Sequence, residues 1–459
     1  MILLTHGYFI SDDEKEQRIM KPYVPLGLLY LSSYLESKSI AHKVCDTTFI
    51  SFQQFTETLE HTRPNIIGIY TNLMTKLNVL KIIRFIKSND ILKQCKIILG
   101  GPEIRYNANN YLAHGADFLV IGEGEITFYE LCAALLRNDN NWQTTHGIAY
   151  LNAGTTTFTP ERALVKDINE LPMPARHQID LTLYGNAWKK AHGYSMYSIS
   201  TMRGCPYTCK WCSRAVYGGT YRRRSPKLVV DEMQLLLQQY QPDRLWFVDD
   251  VFTISHKWLK AFHDELKARQ IKIPYEIITR ADRMNDEVIH LLKESGCFRV
   301  WIGAESGSQK IIDAMDRRVD VKMVREMIIK SKAQGLEAGT FIMLGYPGET
   351  KKDIALTIEH LQKSRPTFYT ITLAYPITGT PLYLEEQQNI QVQQDWHMTT
   401  DRNSKLKRSQ NEVYYNHALR WVNAEVLYEQ TPWGKSKVKY KFKSIAAQFG
   451  MMLNSYGKA

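Results

Sequence analysis

The strongest constraint on the fold is a regular alternation of short apolar runs with longer amphipathic segments. Residues 1–150 contain the apolar runs MILLTHG, AHKVCDTTF, NIIGIYTN, KIILGG, DFLVIGEGE and HGIAYLN, separated by helix-like stretches such as PLGLLYLSSYLESKS and LNVLKIIRFIKSND. Strands that alternate with helices pair in parallel and need helices on both faces. The pattern therefore predicts an α/β domain with a doubly wound, Rossmann-like sheet over residues 1–150.

A second alternation with a longer period begins near residue 195. Residues 151–194, with prolines at 172 and 174, are expected to form a linker before it. The strand candidates that follow are YSISTMRG, RLWFVDD, PYEIITR, RVWIGAES, AGTFIMLGYP and FYTITLAYP. Six strand–helix units predict a partial (β/α)6 barrel over residues 195–383. Residues 384–459 are expected to form a mainly helical extension that caps the barrel mouth and shapes the substrate pocket.

The composition excludes several classes of protein. The 459 residues contain no apolar run of 18 or more, which a transmembrane helix would need. The N-terminus turns acidic after four apolar residues, so it does not resemble a signal peptide, and we expect a cytoplasmic protein. Seven cysteines, an odd number, do not suggest a disulfide framework. The net charge of +11 favours phosphate-bearing or polyanionic partners only weakly.

Three of the cysteines are clustered in the stretch TMRGCPYTCKWCSRAVYGG. Cys205, Cys209 and Cys212 follow the strand candidate YSISTMRG. Structural zinc takes four protein ligands, but no second cysteine pair lies nearby and no histidine falls between residues 193 and 255. Three thiolates can hold three irons of a [4Fe–4S] cluster and leave the fourth iron open to another ligand. Structural zinc and coincidental thiols are the alternatives.

Other chemically capable residues follow the strand candidates of the second alternation. In a (β/α) barrel, catalytic residues lie at the carboxyl ends of the strands. The residues found there are Asp249, Asp250, Arg280, Glu305, Ser306 and Gly345. Carboxylates can accept hydrogen bonds from an ammonium group, and a guanidinium can pair with a carboxylate. Each residue alone is equally well explained by an ordinary turn or ion pair, but their common position favours one shared site.

With the spacing C-x3-C-x2-C and Trp211 before the last cysteine, the chain resembles the radical S-adenosylmethionine (SAM) superfamily. The motifs FVDD, TRAD, GAESGS, GYPGET and YPITGTPLY resemble, in order, those at the strand ends of that superfamily. The resemblance implies that the cysteines hold a [4Fe–4S] cluster, which binds SAM and cleaves it to a 5′-deoxyadenosyl radical. It implies cofactor contacts for Trp211, Asp249, Asp250, Arg280, Glu305, Ser306 and Gly345. The aspartates would face the SAM amino group, the arginine its carboxylate, Glu305 and Ser306 the ribose or methionyl moiety, and the glycine loop its adenine.

The N-terminal region resembles the cobalamin-binding domain that precedes the barrel in one class of these enzymes. The matching stretches are VPLGLLYLSSYL, GGP and GEGE, together with LPMP in the linker. Ligands of open α/β sheets bind beyond the carboxyl ends of the strands. The resemblance therefore implies cobalamin contacts for Gly7, Tyr8, Thr71, Asn72, Gly100, Gly101, Gly122, Glu123 and Gly124. The D-x-H-x-x-G motif is absent, so no histidine from this domain would bind cobalt, and a domain that lost its cofactor is the alternative.

The resemblance implies a cobalamin-dependent methyltransferase. The radical from one SAM would abstract hydrogen from an unactivated carbon, methylcobalamin would donate the methyl group, and a second SAM would remethylate the cobalamin. The alternatives are a radical oxidative cyclase, as in the anaerobic magnesium-protoporphyrin IX monomethyl ester cyclase, and a non-catalytic cobalamin or iron–sulfur sensor. A methylthiotransferase is disfavoured, because Cys45, Cys95 and Cys132 lie in strand-like or helix-like runs rather than in glycine-rich loops.

Two basic stretches bear on partners. Arg222, Arg223 and Arg224 in TYRRRSP could contact a cofactor or only solvent. The tail GKSKVKYKFKS alternates lysines with apolar residues and predicts an edge strand, with a nucleic-acid or anionic membrane surface as the alternative. No RNA-binding module is visible. We expect a small-molecule substrate, such as a lipid, tetrapyrrole or natural-product scaffold, and an electron donor such as flavodoxin or ferredoxin.

Overall fold

Runs of β-branched and other apolar residues form the parallel strands that the sequence predicts. A computed structural model of the chain describes residues 1–391, 394–406 and 410–455. The chain forms two compact units. The first unit comprises Met1–Pro206, Ser213–Trp246 and Gln393–Asn403, and the second comprises Tyr207–Cys212, Phe247–Val392 and Ser404–Ala459.

A seven-stranded sheet lies at the centre of the first unit. Its strands are β1 (Ile2–His6), β2 (His42–Cys45), β3 (Ile66–Tyr70), β4 (Lys96–Gly100), β5 (Phe118–Val120), β6 (Ile148–Asn152) and β7 (Thr155–Phe158). They are ordered β2-β1-β3-β4-β5-β6-β7, and only β6 and β7 run antiparallel to their neighbours. The order reverses between β1 and β3, which makes a topological switch point.

Helices cover both faces of this sheet. The helices of the first unit are α1 (Glu14–Ile19), α2 (Leu26–Ser37), α3 (Phe52–Thr62), α4 (Lys76–Ser88), α5 (Ala108–Ala113), α6 (Gly124–Leu136), α7 (Leu181–His192) and α8 (Pro226–Tyr240). Alternate strand residues enter two separate cores. Leu3 and Ile67 pack with residues of α3 and α4, whereas Ile2 and Ile66 pack with residues of α2 and α6. This two-sided burial confirms the doubly wound, Rossmann-like sheet.

The first unit also contains four shorter strands: β8 (Met196–Ile199), β9 (Met202–Arg203), β10 (Arg222–Arg223) and β11 (Arg244–Phe247), whose last residue belongs to the second unit. Strands β8 and β11 are neighbours in the second large sheet. Strands β9 and β10 form an antiparallel ribbon in which Arg203 lies opposite Arg222.

The second unit contains four parallel strands that follow one another in chain order and one short antiparallel pair. Its strands are β12 (Tyr275–Thr279), β13 (Cys297–Glu305), β14 (Glu337–Leu344), β15 (Phe368–Leu373), β16 (Ile390–Gln391) and β17 (Lys405–Leu406). Its helices are α9 (His256–Ala268), α10 (Asp286–Glu294), α11 (Gln309–Ala314), α12 (Val321–Ala333), α13 (Lys351–Ser364), α14 (Pro381–Glu385), α15 (Glu412–Gln430) and α16 (Lys435–Leu453). Strands β12 to β15 pair in parallel with helices between them, which is the arrangement of a (β/α) barrel.

The prediction of an edge strand in the basic tail is wrong. Residues Lys435–Leu453 form α16, which pairs with α15 as a helical hairpin. The alternation of lysines with apolar residues ends at residue 443. Beyond it, Ser444, Ala447 and Met451 are buried at helical spacing, and this longer pattern determines the structure. Along the described part of the chain, no helix is both long enough and apolar enough to cross a membrane.

Candidate active site

The loop that carries two of the clustered cysteines is fixed to the second unit by backbone hydrogen bonds. The Lys210 N–H donates to the carbonyl oxygen of Met315 at 3.1 Å, and the Lys210 carbonyl accepts from the Leu382 N–H at 2.9 Å. The Cys212 N–H donates to the Cys209 carbonyl at 3.2 Å. The C-x2-C spacing therefore folds as a tight turn with a defined position on the second unit.

Two guanidinium groups converge on the buried thiol of Cys209. Arg280 Nη1 and Arg317 Nη1 each lie 3.7 Å from Cys209 Sγ. Both arginines are buried, and Arg280 also donates to Asp282 Oδ1 at 2.8 Å and to the Arg317 carbonyl at 2.7 Å. Two adjacent cations are complementary to negative charge at this position. This donor set fits an anionic iron–sulfur cluster.

Trp211 lies between this charged group and the apolar interior of the second unit. Its side chain packs against a buried cluster composed of Ile311, Met315, Tyr346, Ala374 and Leu382. The guanidinium carbon of Arg317 lies 5.7 Å from the centroid of the indole ring, within cation–π range. The tryptophan thus anchors the cysteine turn on its apolar side.

Arg317 is the site residue that the sequence did not reveal. It follows α11 rather than a strand, so strand-end reasoning passes over it. The neighbouring Arg318 is exposed and pairs with Asp316, whereas the Arg317 side chain is 9% exposed. Two adjacent arginines were the only sequence signal, and nothing in the spacing indicates which of them is buried.

The two predicted carboxylates after β11, Asp249 and Asp250, differ in their exposure to solvent. Asp249 is buried. Asp250 is exposed, yet its pKa lies above its ordinary value, because nearby protein partly desolvates its carboxyl and Asp249 adds a like charge. Paired carboxyl groups at a strand end can accept hydrogen bonds from a cationic amine, so the contact of these aspartates with the SAM amino group stays a prediction.

Glu305 lies at the end of β13 in a strained conformation. Its φ is 61°, in the left-handed region that costs a residue with a side chain about 1–2 kcal/mol. The register between β13 and β14 shifts between Gly303 and Glu305. Burial raises the pKa of Glu305, although Arg317 Nη2 lies 3.7 Å from its carboxylate and opposes the shift. Strain of this kind is concentrated at ligand-binding positions.

The predicted site residues Ser306 and Gly345 are each held in a turn by a hydrogen bond. Ser306 is buried, and its hydroxyl accepts a hydrogen bond from the Ser308 N–H at 3.1 Å, which ties the side chain into its own turn. Gly345 has φ 75°, and its N–H donates to Glu349 Oε2 at 2.6 Å. The glycine is needed because the strand turns away here through a left-handed conformation.

In the first unit, four predicted residues lie at the topological switch point. Gly7 and Tyr8 follow β1, and Thr71 and Asn72 follow β3, so these two loops flank the position where the strand order reverses. The Thr71 N–H donates to the Gly100 carbonyl at 2.7 Å. The Asn72 side chain accepts two backbone N–H groups of its own turn, at 2.9 and 3.0 Å. The crevice is therefore bordered by ordered backbone.

Gly100 and Gly101 leave room for a ligand beside this crevice. Gly101 has φ 110°, and a Cβ there would overlap the carbonyl oxygen of Thr71. A Cβ placed on Gly100 would meet no atom within 4 Å. The loop therefore offers open space next to bare backbone, which fits the close approach of a large cofactor.

Glu123 is engaged within the first unit. It accepts hydrogen bonds from Arg203 Nη1 at 2.9 Å and from Arg222 Nη1 at 2.8 Å. Burial alone would raise its pKa, but the hydrogen bonds from Arg222 and Arg203 hold the pKa below its ordinary value. On either side, Gly122 has φ 89° and Gly124 begins α6. Because the Glu123 side chain is engaged by two arginines and its neighbours are glycines, this loop can offer a ligand mainly its backbone N–H and C=O groups.

Arg222 and Arg224, from the run of three consecutive arginines, form internal ion pairs. Arg222 pairs with Glu123, and Arg224 pairs with the buried Glu232. Arg176 Nη2 lies 2.6 Å from the same Glu232 carboxylate. Glu232, Arg176 and Arg224 are all almost fully buried, so this charge triad belongs to the core of the first unit.

The seven cysteines form no disulfide. Cys205 is half-buried in the first unit, whereas Cys209 is buried and Cys212 exposed in the second. In residues 1–391, 394–406 and 410–455, no three His, Cys, Asp or Glu side chains form a ready-made metal-binding group. The fit to an iron–sulfur cluster rests on the arginine pair at Cys209 and on the three-thiol sequence motif.

Two family models match the chain. The B12 binding domain matches residues 19–132, and the Radical SAM superfamily matches residues 199–361. The first match covers strands β2 to β5, and the second includes β12, β13 and β14. These matches confirm the predicted fold class, a cobalamin-binding Rossmann-like domain followed by a partial (β/α)6 barrel.

The chain is similar to several known proteins. The chain is 27% identical over 397 residues to an uncharacterized methyltransferase of Pyrococcus horikoshii, a match that covers 84% of each chain. It is 24% identical over 358 residues to the anaerobic magnesium-protoporphyrin IX monomethyl ester cyclase of Cereibacter sphaeroides, covering 75% of this chain and 57% of the cyclase. The solved structure of the cobalamin-dependent S-adenosylmethionine radical enzyme OxsB with aqua-cobalamin bound matches with a TM-score of 0.75, over 98% of this chain and 72% of OxsB at 15% identity. At 15% identity, the similarity to OxsB shows that the two chains share a fold and shows nothing further.

Proposed function

Because the chain is a radical SAM enzyme with a B12-binding domain ahead of the barrel in sequence, we propose that it methylates an unactivated carbon of a small-molecule substrate. When bound, the [4Fe–4S] cluster supplies the electron that cleaves SAM to a 5′-deoxyadenosyl radical, and cobalamin supplies the methyl group. The observation that carries the proposal is the presence of both domains in one chain that matches a methyltransferase over 84% of each length.

Cys205, Cys209 and Cys212 would hold the cluster. Arg280 and Arg317 would offset its negative charge from one side, since both already lie 3.7 Å from Cys209 Sγ. The guanidinium of Arg280 is engaged with Cys209, with Asp282 and with a backbone carbonyl. We therefore assign Arg280 to the cluster rather than to the SAM carboxylate.

SAM would be held by the strand ends of the second unit. Asp249 and Asp250 offer acceptors for its amino group, and the elevated pKa of Asp250 would fall when a cation approaches. The buried carboxylate of Glu305 would contact the polar parts of the ligand, and the backbone of the Gly345 loop would lie against adenine. Binding energy from these contacts would orient SAM and exclude water during the radical step.

Cobalamin would occupy the crevice at the switch point of the first unit. The backbone of Gly7–Tyr8, Thr71–Asn72 and Gly100–Gly101 would approach the corrin ring, and the Gly122–Gly124 loop would border it. Glu123 would support this loop through Arg203 and Arg222 rather than touch the ligand. We place the cobalamin domain within residues 1–150, the barrel within 195–383 and a substrate-capping extension within 384–459.

The substrate would be a small molecule such as a lipid, tetrapyrrole or natural-product scaffold, and the electron would come from a flavodoxin or ferredoxin in the cytoplasm. A radical oxidative cyclase is the second candidate, because the Cereibacter sphaeroides cyclase matches 75% of the chain. The match covers 57% of the cyclase, whereas the match to the Pyrococcus horikoshii methyltransferase covers 84% of that protein, so methyl transfer is favoured.

Anaerobic turnover with SAM labelled in its methyl group tests the proposal. The reconstituted enzyme with cobalamin and a reductant should form 5′-deoxyadenosine and S-adenosylhomocysteine, and the label should appear on cobalamin by mass spectrometry. A cyclase would form 5′-deoxyadenosine without transfer of the label. A sensor would form neither product. Cys212→Ser should abolish 5′-deoxyadenosine, and Cys297→Ser, at a buried cysteine outside the cluster, should not.

A further inference from the structure

Helix α16 exposes a continuous apolar stripe on the side opposite its packed face. The packed side consists of Ser444, Ala447, Gly450 and Met451, all buried. The exposed stripe consists of Val438, Phe442, Ile445, Phe449 and Met452, spaced i, i+4, i+7, i+11 and i+14. Phe442 is 69% and Phe449 56% exposed. Isolated apolar residues are common on surfaces, but a helix-long stripe indicates an interaction surface.

Lysines border this stripe. Five of them, Lys435, Lys437, Lys439, Lys441 and Lys443, lie in the first half of α16, which contains no acidic residue. Lys437 Nζ and Lys441 Nζ lie 4.8 and 5.0 Å from the centroid of the Tyr428 ring, so these two lysines face α15. At 3.6 residues per turn, Lys439 and Lys443 lie on the opposite flank. Over the first half of α16 the apolar stripe therefore runs between two rows of lysines, of which Lys441 also lies 3.4 Å from Glu425 of α15.

This combination distinguishes among possible occupants. A second copy of the chain would bring its own lysine rows against these lysines, and like charges would repel. The phosphates of a nucleic acid would attract the lysines, but a nucleic acid would not bury the aliphatic side chains of Ile445 and Met452. The surface of an anionic bilayer satisfies both features, because acyl chains accept the stripe while lipid phosphates meet the ammonium groups. Lysine side chains can extend from the stripe toward the headgroups.

We propose that α16 lies in the headgroup region of an anionic lipid bilayer and anchors the protein peripherally. Trp433, 82% exposed just before the helix, has the position of an interfacial indole. Phe442, Ile445 and Phe449 enter the acyl boundary, and Lys439 and Lys443 contact lipid phosphates. This surface does not depend on the proposed methyl transfer, since it involves no residue assigned to a cofactor.

Vesicle flotation of the full chain tests the proposal. The chain should float with vesicles of phosphatidylcholine and phosphatidylglycerol and remain unbound with phosphatidylcholine alone. The double variant Phe442→Ser, Phe449→Ser should lower the partition coefficient about tenfold or more, because two aromatic side chains no longer enter the bilayer. Lys439→Gln with Lys443→Gln should lower it about tenfold at low salt and less at high salt.

A matched control uses exposed apolar residues on another helix. Met323 and Ile329 of α12 are 41% and 46% exposed, and their double serine variant should bind vesicles like the unmodified chain. Circular dichroism checks that each variant is folded. Equal binding after the Phe442 and Phe449 substitutions would overturn the proposal, as would failure of the unmodified chain to bind anionic vesicles. A third outcome would also refute the proposal: the unmodified chain forms a dimer by light scattering, does not bind vesicles, and loses the dimer in the phenylalanine variant. That result would assign the surface to a second copy of the chain.

Discussion

Replacing Arg317 with glutamine should make the cluster at Cys209 harder to reduce. The buried guanidinium lies 3.7 Å from Cys209 Sγ, so its positive charge stabilises the added electron of the reduced cluster. Glutamine retains a polar side chain but is shorter and carries no charge. The substitution therefore removes the electrostatic contribution, and the same change at Arg318 controls for the loss of side-chain length.

The magnitude follows from Coulomb's law. A unit charge at 3.7 Å in a medium of effective dielectric constant about 20 interacts with a full charge on that sulfur by roughly 4.5 kcal/mol. The electron added on reduction spreads over the whole cluster, so we expect about a quarter to a half of that value. For a one-electron couple, about 1–2 kcal/mol corresponds to a fall in reduction potential of roughly 50–100 mV.

The assay is an anaerobic redox titration of the reconstituted cluster, followed by electron paramagnetic resonance. Arg318→Gln is the matched control, because Arg318 is the next residue, is 71% exposed and pairs with Asp316. Solvent screens its charge, so its variant should shift the potential far less. Iron content and circular dichroism establish that both variants are folded and loaded. A shift for Arg317→Gln that equals the Arg318→Gln shift, or that raises the potential, would refute the assignment of Arg317.

Three further outcomes are expected. Glu232→Gln leaves two buried arginines without a counter-charge, so it should reduce the free energy of unfolding, measured in urea, by about 3–5 kcal/mol. Glu161→Gln, at an exposed ion pair, should reduce it by less than about 1 kcal/mol. Similar losses for the two variants would contradict the buried triad. Burial lowers the pKa of His360 from 6.5 to about 4, so the unfolded chain binds a proton that the folded chain excludes. Stability should be complete above pH 6.5 and fall by up to about 3 kcal/mol as the pH drops toward 4, and an unchanged slope in His360→Leu would contradict this. Gly101→Ala should weaken cobalamin binding about tenfold or more in an absorbance titration, because the added Cβ would overlap the carbonyl oxygen of Thr71. Gly154→Ala is the control: Gly154 also has positive φ but lies in open space, so this variant should bind cobalamin like the unmodified chain.

The sheet architecture was predictable because both alternations are local properties of the sequence. Strands such as β3 and β4 are buried on both faces and therefore appear as continuous apolar runs. Once their parallel order is known, the rule that ligands bind at carboxyl ends locates Asp249, Glu305 and Gly101 without further information. These predictions depend on residues that are close in sequence.

The remaining features depend on contacts that sequence spacing does not encode. Glu123 meets Arg203 from 80 positions away, so an exposed-looking acidic loop residue proved to be part of a buried ion-pair network. Arg317 and Arg318 are indistinguishable until the fold buries one of them. Helix α16 was mistaken for a strand because its lysines alternate over nine residues, while the small residues that pack on α15 come later. In each case tertiary packing decided between locally equivalent alternatives.

The most direct test of the account is the iron and cobalt content of the chain after anaerobic expression with cobalamin and cluster reconstitution. We predict about four irons and one cobalt per chain, with loss of iron but retention of cobalt in Cys209→Ser. Iron without cobalt would leave the radical SAM barrel and contradict cobalamin-dependent methyl transfer. Zinc in place of iron would contradict the assignment of the cysteine motif and of the chemistry built on it.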